Sequence, residues 1–154
     1  MGVGAGSAGT PAGRAGVCRA LVSCALSARP PMSVVLWVLQ VLLAAVFFGV
    51  GGLKLAKSKG ELLSMPGMGA LEPYRPLSVK GIGLAEVLGA AGLLLPPLVG
   101  WGGLVPWAAL GLASVMVGGV LAHAERSEWA LIAPAAALLA LCLTVMAGRT
   151  LIPV

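Results

Sequence analysis

Four stretches of this chain are apolar over the length that crosses a bilayer as a helix, roughly 20 residues, and short polar or Gly/Pro-rich breaks separate them. The pattern predicts spans at about 33–55, 78–97, 101–122 and 129–147. The expected fold is all-α, a transmembrane four-helix bundle occupying 32–154. The first span opens near Trp37, an interfacial ring, and ends at Lys54, whose long stem reaches the surface. Gln40 is its other strongly polar residue. Gln40 and Lys54 stand close to four helical turns apart and so share a face.

The second span carries a single acid, Glu86, among apolar and small residues. An ionised carboxylate at membrane depth costs some ~2.5–3.5 kcal/mol on insertion scales, so it must pair, take up a proton or face water. Small residues recur along three of the spans and read as faces where another backbone can approach closely. On the second they are Gly81, Ala85, Gly89 and Gly92, with Glu86 at the edge of the stripe. On the third they are Ala108, Gly111, Ser114, Gly118 and Ala122. On the fourth they are Ala133, Ala137, Ala140, Thr144 and Ala147. Pro134 falls in the first turns of that helix, where a missing donor is best tolerated.

The breaks are as informative as the spans. Residues 56–77 form the longest connection; its glycines and prolines argue against a span, while Leu62, Leu63, Met65 and Met68 suggest a segment lying on the surface or tucked under the bundle, as a connector or a lid. Pro96 and Pro97 close the second span. Trp101 and Trp107 gather at that end with Trp37, as an aromatic belt would. A polar turn holding His123, Glu125, Arg126 and Glu128 joins the third span to the fourth.

Composition sets the class. Hydrophobic residues make up 59% of the 154 and charged residues 10%, with a mean hydropathy of +1.03. Soluble domains carry roughly 25% charged residues, so an integral membrane protein is expected, in contact with the lipid bilayer and too small for a separate soluble domain. The net charge of +5 comes from basic residues scattered at membrane edges, which argues against nucleic acid as a partner. Cys18, Cys24 and Cys142 form no CxxC, and His123 is the single histidine. No disulfide framework, zinc site or other metal site is expected, and Cys142 reads as a packed thiol.

Residues 1–31 are rich in Gly, Ala, Ser, Pro and Arg and have no span of membrane length. They read as a disordered leader or an overextended start, with Met32 the first residue of the domain; a signal peptide over 17–28 is disfavoured because Arg19 interrupts the apolar run. Without Arg14, Arg19 and Arg29 the net charge falls from +5 to +2. Lys54, Lys57, Lys59, Arg75, Lys80 and Arg126 then lie on one side of the membrane and Arg149 on the other. The excess of basic residues places the long connection and the 123–128 turn in the cytoplasm and both termini outside, in a multi-pass protein of the cell membrane.

The GGLKL ending of the first helix, the VKGIGLAEVLGAAGLLLP of the second, the AHAER closing the third and the AGR near the end of the fourth resemble the DoxX-like family of small membrane proteins. The resemblance covers about Met32 to Arg149. It implies a four-helix membrane bundle and points to the positions occupied by Lys54, Glu86 and His123, without implying a defined reaction. Some relatives are subunits of thiosulfate:quinone oxidoreductase, others have been linked to oxidative-stress complexes, and animal relatives act as receptor-assembly chaperones.

Three functions follow as expectations. The leading one is an accessory membrane subunit with no catalytic residue and no reaction of its own, binding a protein partner, a second copy of itself or a lipid-like molecule. Lys54, Glu86 and His123 form its intramembrane polar cluster, with Gln40 and Arg126 in support, and Gly81, Ala85, Gly89, Gly92, Gly111, Ser114 and Gly118 its packing faces. The second is a quinone-binding subunit of an oxidoreductase, in which Glu86 or His123 exchanges a proton and a partner supplies the redox centre. The third is a small transporter. For Glu86 the residues leave open a structural ion pair with Lys54 or a proton or ligand site; for His123, a capping or a functional role.

Overall fold

The structure, a computed structural model, describes residues 30–153. Five α-helices run through them: α1 (Pro30–Ala56), α2 (Lys59–Leu63), α3 (Pro76–Leu98), α4 (Val105–Glu125) and α5 (Trp129–Leu151). Short 3-10 turns lie at Gly69–Leu71 and Gly102–Leu104. The four long helices are each long and apolar enough to cross a membrane, and among the described residues there is no strand. The expectation of a disordered leader or overextended start falls outside the described residues, apart from Pro30 and Pro31, which belong to α1.

Leu43, Phe47, Leu93, Leu112 and Val145 are all at most 2% exposed and meet in one core drawn from all four long helices. α4 packs along both α3 and α5. A second, smaller core sits at the loop end, where Leu62 of α2, Leu71 of the 3-10 turn and Val79 of α3 bury one another against Leu63, Met65 and Met68. The long connection is thus tucked under the bundle. Ser58 starts α2 with reciprocal bonds: its hydroxyl accepts from the Glu61 amide, and its own amide donates to the Glu61 carboxylate at 2.8 Å, which satisfies two otherwise orphaned donors.

The two tight turns between long helices close by the same device. After α3, Trp101 N–H donates to Pro96 O and Gly100 N–H to Pro97 O around Gly100 at φ +80°. After α4, Glu128 N–H donates to His123 O and Ser127 N–H to Ala124 O around Ser127 at φ +55°. The left-handed residue reverses the chain while satisfying the last carbonyls. At the end of α1 a side chain does this work: Lys80 Nζ donates to Leu55 O and Lys57 O at 2.5 and 2.7 Å, placing a cation on the negative end of that helix.

The small-residue faces are the part of the expectation that needs correction. On α3, Gly89 and Gly92 do lie against α4: a Cβ at either would come within 2.6–2.8 Å of Leu112 or Ala108 side chains. Gly81 and Ala85 of the same stripe are exposed. On α4, Gly111, Ser114 and Gly118 are exposed, and a Cβ at Gly111 or Gly118 would meet nothing within 4 Å. The buried face of α4 runs instead through Val105, Ala109, Leu112 and Ala113, and Ala122 is the member of the expected stripe that is buried with them. The α5 stripe from Ala133 to Ala147 is likewise exposed, and Cys142, Val145 and Arg149 are buried. In a lipid-facing helix apolarity is no guide to the inward face.

Candidate functional site

A close backbone approach positions the site. A Cβ on Gly51 of α1 would lie 2.8 Å from Gly83 O and 2.9 Å from the Glu86 Cβ. With no side chain at either glycine, α1 and α3 touch, and the next turn of each helix brings Lys54 and Glu86 together. Lys54 Nζ donates to Glu86 Oε1 at 2.5 Å, with the side chains 9% and 1% exposed. Glu86 stands ten residues into α3, about 15 Å from its start at 1.5 Å per residue. At that depth a carboxylate demands a partner, and Lys54 satisfies one of its oxygens. Oε2 has no hydrogen-bond partner among the described residues.

Beside this pair lies a cavity of about 460 Å³. Its walls come from α1, α3, α4, the N-terminal half of α5 and the 67–74 segment, with Phe47, Leu71, Ile82, Met116 and Leu138 giving it an apolar surface. Lys54, Glu86 and His123 all line it, so the three residues singled out in sequence share one space. Val46, Gly118 and Pro134 are lining residues that are also exposed on the outside of the bundle. The cavity therefore reaches the lipid-facing surface. Ser114 lines it too, and its hydroxyl donates back to Leu110 O at 3.0 Å, which keeps that wall apolar in effect.

His123 is held from the water side. Its Nδ1 lies 2.7 Å from Glu128 Oε2; a carboxylate oxygen there accepts, so Nδ1 carries the proton. Arg126 joins the same carboxylate through Nε at 3.0 Å and reaches across to Glu72 Oε2 through Nη1 at 2.7 Å. These bonds hold Glu128 below the usual carboxylate range, the His123 contact foremost and Arg126 next, and they raise Arg126. The Glu72 contact ties the 69–72 turn to the 123–128 turn. Lys59 Nζ secures the same turn by donating to Glu72 O and Tyr74 O at 2.7 and 2.6 Å. A Cβ on Gly69 would lie 2.9 Å from Glu128 Oε1 and would push that carboxylate aside. The long connection closes the water-side end of the cavity.

Gln40 lies at the other end of the bundle, away from the cluster it was expected to support. Its Nε2 donates to Leu93 O at 2.7 Å and its Oε1 accepts from Arg149 Nε at 2.5 Å. Arg149 is 2% exposed and its guanidinium sits 5.3 Å from the Trp37 ring centroid. Trp37 is therefore a stacking partner as well as an interfacial ring. Arg149 is thus more than an end charge: it shares the buried face of α5 with Val145 and Cys142, four and seven residues before it. Among the described residues, no group of three His, Cys, Asp or Glu is placed to hold a metal ion.

Compared with known families, residues 38–145 match the model of the DoxX-like family. Neither the curated proteins nor the solved structures contain a match.

Proposed function

Because the chain belongs to the DoxX-like family and carries four membrane-spanning helices, we propose that it is an accessory membrane subunit that holds a lipid-like molecule between α1, α3, α4 and α5 and catalyses no reaction of its own. The observation that carries this reading is the cavity. Its volume of about 460 Å³ lies within the ~300–1,000 Å³ of small-molecule sites, and its apolar walls with a few convergent polar groups have the make-up of such sites. Access from the bilayer suits a ligand that is itself dissolved in lipid. The long connection and the 123–128 turn face the cytoplasm of the cell membrane on this reading, following the excess of basic residues there.

A quinone-binding subunit is the narrower form of the proposal. The Lys54 ammonium has donors beyond the one given to Glu86, and a ring carbonyl would accept from one of them. The redox centre would then belong to a protein partner.

Native mass spectrometry with lipid extraction, on protein taken gently from its own membrane, tests the reading. Gly119 lines the cavity and a Cβ there meets nothing within 4 Å, so Gly119→Leu fills the space without disturbing the packing. A molecule retained by the wild-type protein and lost from Gly119→Leu supports the proposal; identical lipid complements overturn it. A quinone retained together with a redox partner selects the narrower form.

A further inference from the structure

We infer that the ligand of this cavity is a neutral lipid with a free hydroxyl group, held at the Lys54–Glu86 pair; this rests on the cavity being a ligand site. Two observations carry it. The first is charge. The acid and the basic side chains among the lining residues are Glu86, Lys54 and His123, and each already has a partner: Lys54 with Glu86, and His123 with Glu128 outside the lining. An anionic lipid head would have to compete with Glu86 for Lys54, and a cationic one with Lys54 for Glu86. Breaking a buried pair leaves an uncompensated charge, so an uncharged head is favoured.

The second is hydrogen-bonding capacity. Glu86 is 1% exposed and its Oε2 lacks a partner among the described residues, which leaves a strong acceptor in need of a donor. His123 Nδ1 is committed to Glu128, so the acceptor left on this wall is the Glu86 carboxylate. Lys54 supplies N–H groups to the same region. A hydroxyl donates once and accepts through its lone pairs, so it can satisfy the Glu86 carboxylate and a Lys54 donor together. A ketone or an ether only accepts, and leaves Glu86 Oε2 as it is.

The test uses the full chain in lipid nanodiscs, labelled by a photoreactive sterol or a photoreactive diacylglycerol; the two probes distinguish the sources of the hydroxyl. Labelling is competed with the free alcohol, its methyl ether, a fatty acid and a lipophilic amine. The free alcohol is expected to compete about ten-fold or more better than its ether, the increment of a hydrogen bond to a charged group. In the paired variant Lys54→Met/Glu86→Leu, which removes both charges and keeps the interior apolar, labelling persists and that preference falls to about two-fold or less. Equal competition by alcohol and ether in the wild-type protein overturns the inference and leaves the ligand site standing, with water as the donor to Oε2. Stronger competition by the fatty acid or the amine also overturns it. Labelling that Gly119→Leu does not reduce removes the ligand site itself.

Discussion

Gly51 and Gly83 face each other backbone to backbone: a Cβ on Gly51 would lie 2.8 Å from Gly83 O, and one on Gly83 would lie 2.9 Å from Gly51 O. Everything at the buried ion pair depends on this contact, because it sets the separation of α1 and α3 one turn away from Lys54 and Glu86. Neither obstruction is the movable tip of a side chain. Gly51→Ala and Gly83→Ala are each expected to destabilise the bundle by about 1–3 kcal/mol, the usual cost of overpacking a close contact. Gly49, where a Cβ meets nothing within 4 Å, is the control, and Gly49→Ala should stabilise by up to about 1 kcal/mol through helix propensity. Unfolding of the three variants in mixed micelles checks the contrast.

Lys54 and Glu86 form a pair whose value lies mainly in the cost of separating it. Lys54→Met or Glu86→Leu alone strands a buried charge and is expected to cost about 3–5 kcal/mol, whereas the double variant should lie close to wild type or above it. A double-mutant cycle on the same unfolding assay gives the coupling. Additive losses would mean that the two charges are solvated separately, contrary to the contact between them.

The tie between the 69–72 and 123–128 turns is expected to depend on pH. Glu128 is held below its ordinary value of 4.5 by His123 first and Arg126 second. A carboxylate with a depressed folded-state pKa binds fewer protons when folded than when released, so its contribution is fully present above about pH 4.5 and is lost as pH falls through the depressed value. Hydrogen exchange should therefore show residues 67–72 and 124–128 loosening together as the pH falls below 4.5, after correction for intrinsic exchange. Glu128→Gln should show the loosened state already at neutral pH. Glu61, lowered by its bonds from Ser58, moves in the same direction and steadies α2.

Ser127 occupies a left-handed position at φ +55° that costs a non-glycine residue about 1–2 kcal/mol. Ser127→Gly is expected to recover roughly 1 kcal/mol of that strain, less the entropy of the freer unfolded chain. The gain should appear as a higher melting temperature with unchanged occupancy of the cavity.

Arg149 offers a test at the other end of the bundle. Its Nε serves Gln40 and its guanidinium lies over Trp37, and a lysine reproduces these contacts only in part. Arg149→Lys is expected to cost about 1–2 kcal/mol, the sum of a charge-assisted hydrogen bond and a desolvated cation–π contact scaled down for partial replacement. Quenching of Trp37 fluorescence reports the local change, once Trp101, Trp107 and Trp129 are replaced by Phe.

The sequence by itself determined the four spans, because bilayer thickness demands a minimum apolar length and the chain meets it four times. It also determined the turns, since Pro96, Pro97 and Gly100 can end a helix in few ways, and it marked Lys54 and Glu86, because a charge in hydrocarbon is conspicuous wherever it points. Which face of each helix turns inward was decided only by the tertiary structure. Helices apolar on all sides carry no stripe to orient them, so the exposed Gly111, Ser114 and Gly118 and the buried Leu112 and Ala113 look alike to a pattern of polarity. The cavity was equally hidden: it exists because Gly51 and Gly83 draw α1 onto α3 while Gln40, Leu93 and Arg149 fasten the opposite end, and that separation of contacts is a property of the assembled bundle.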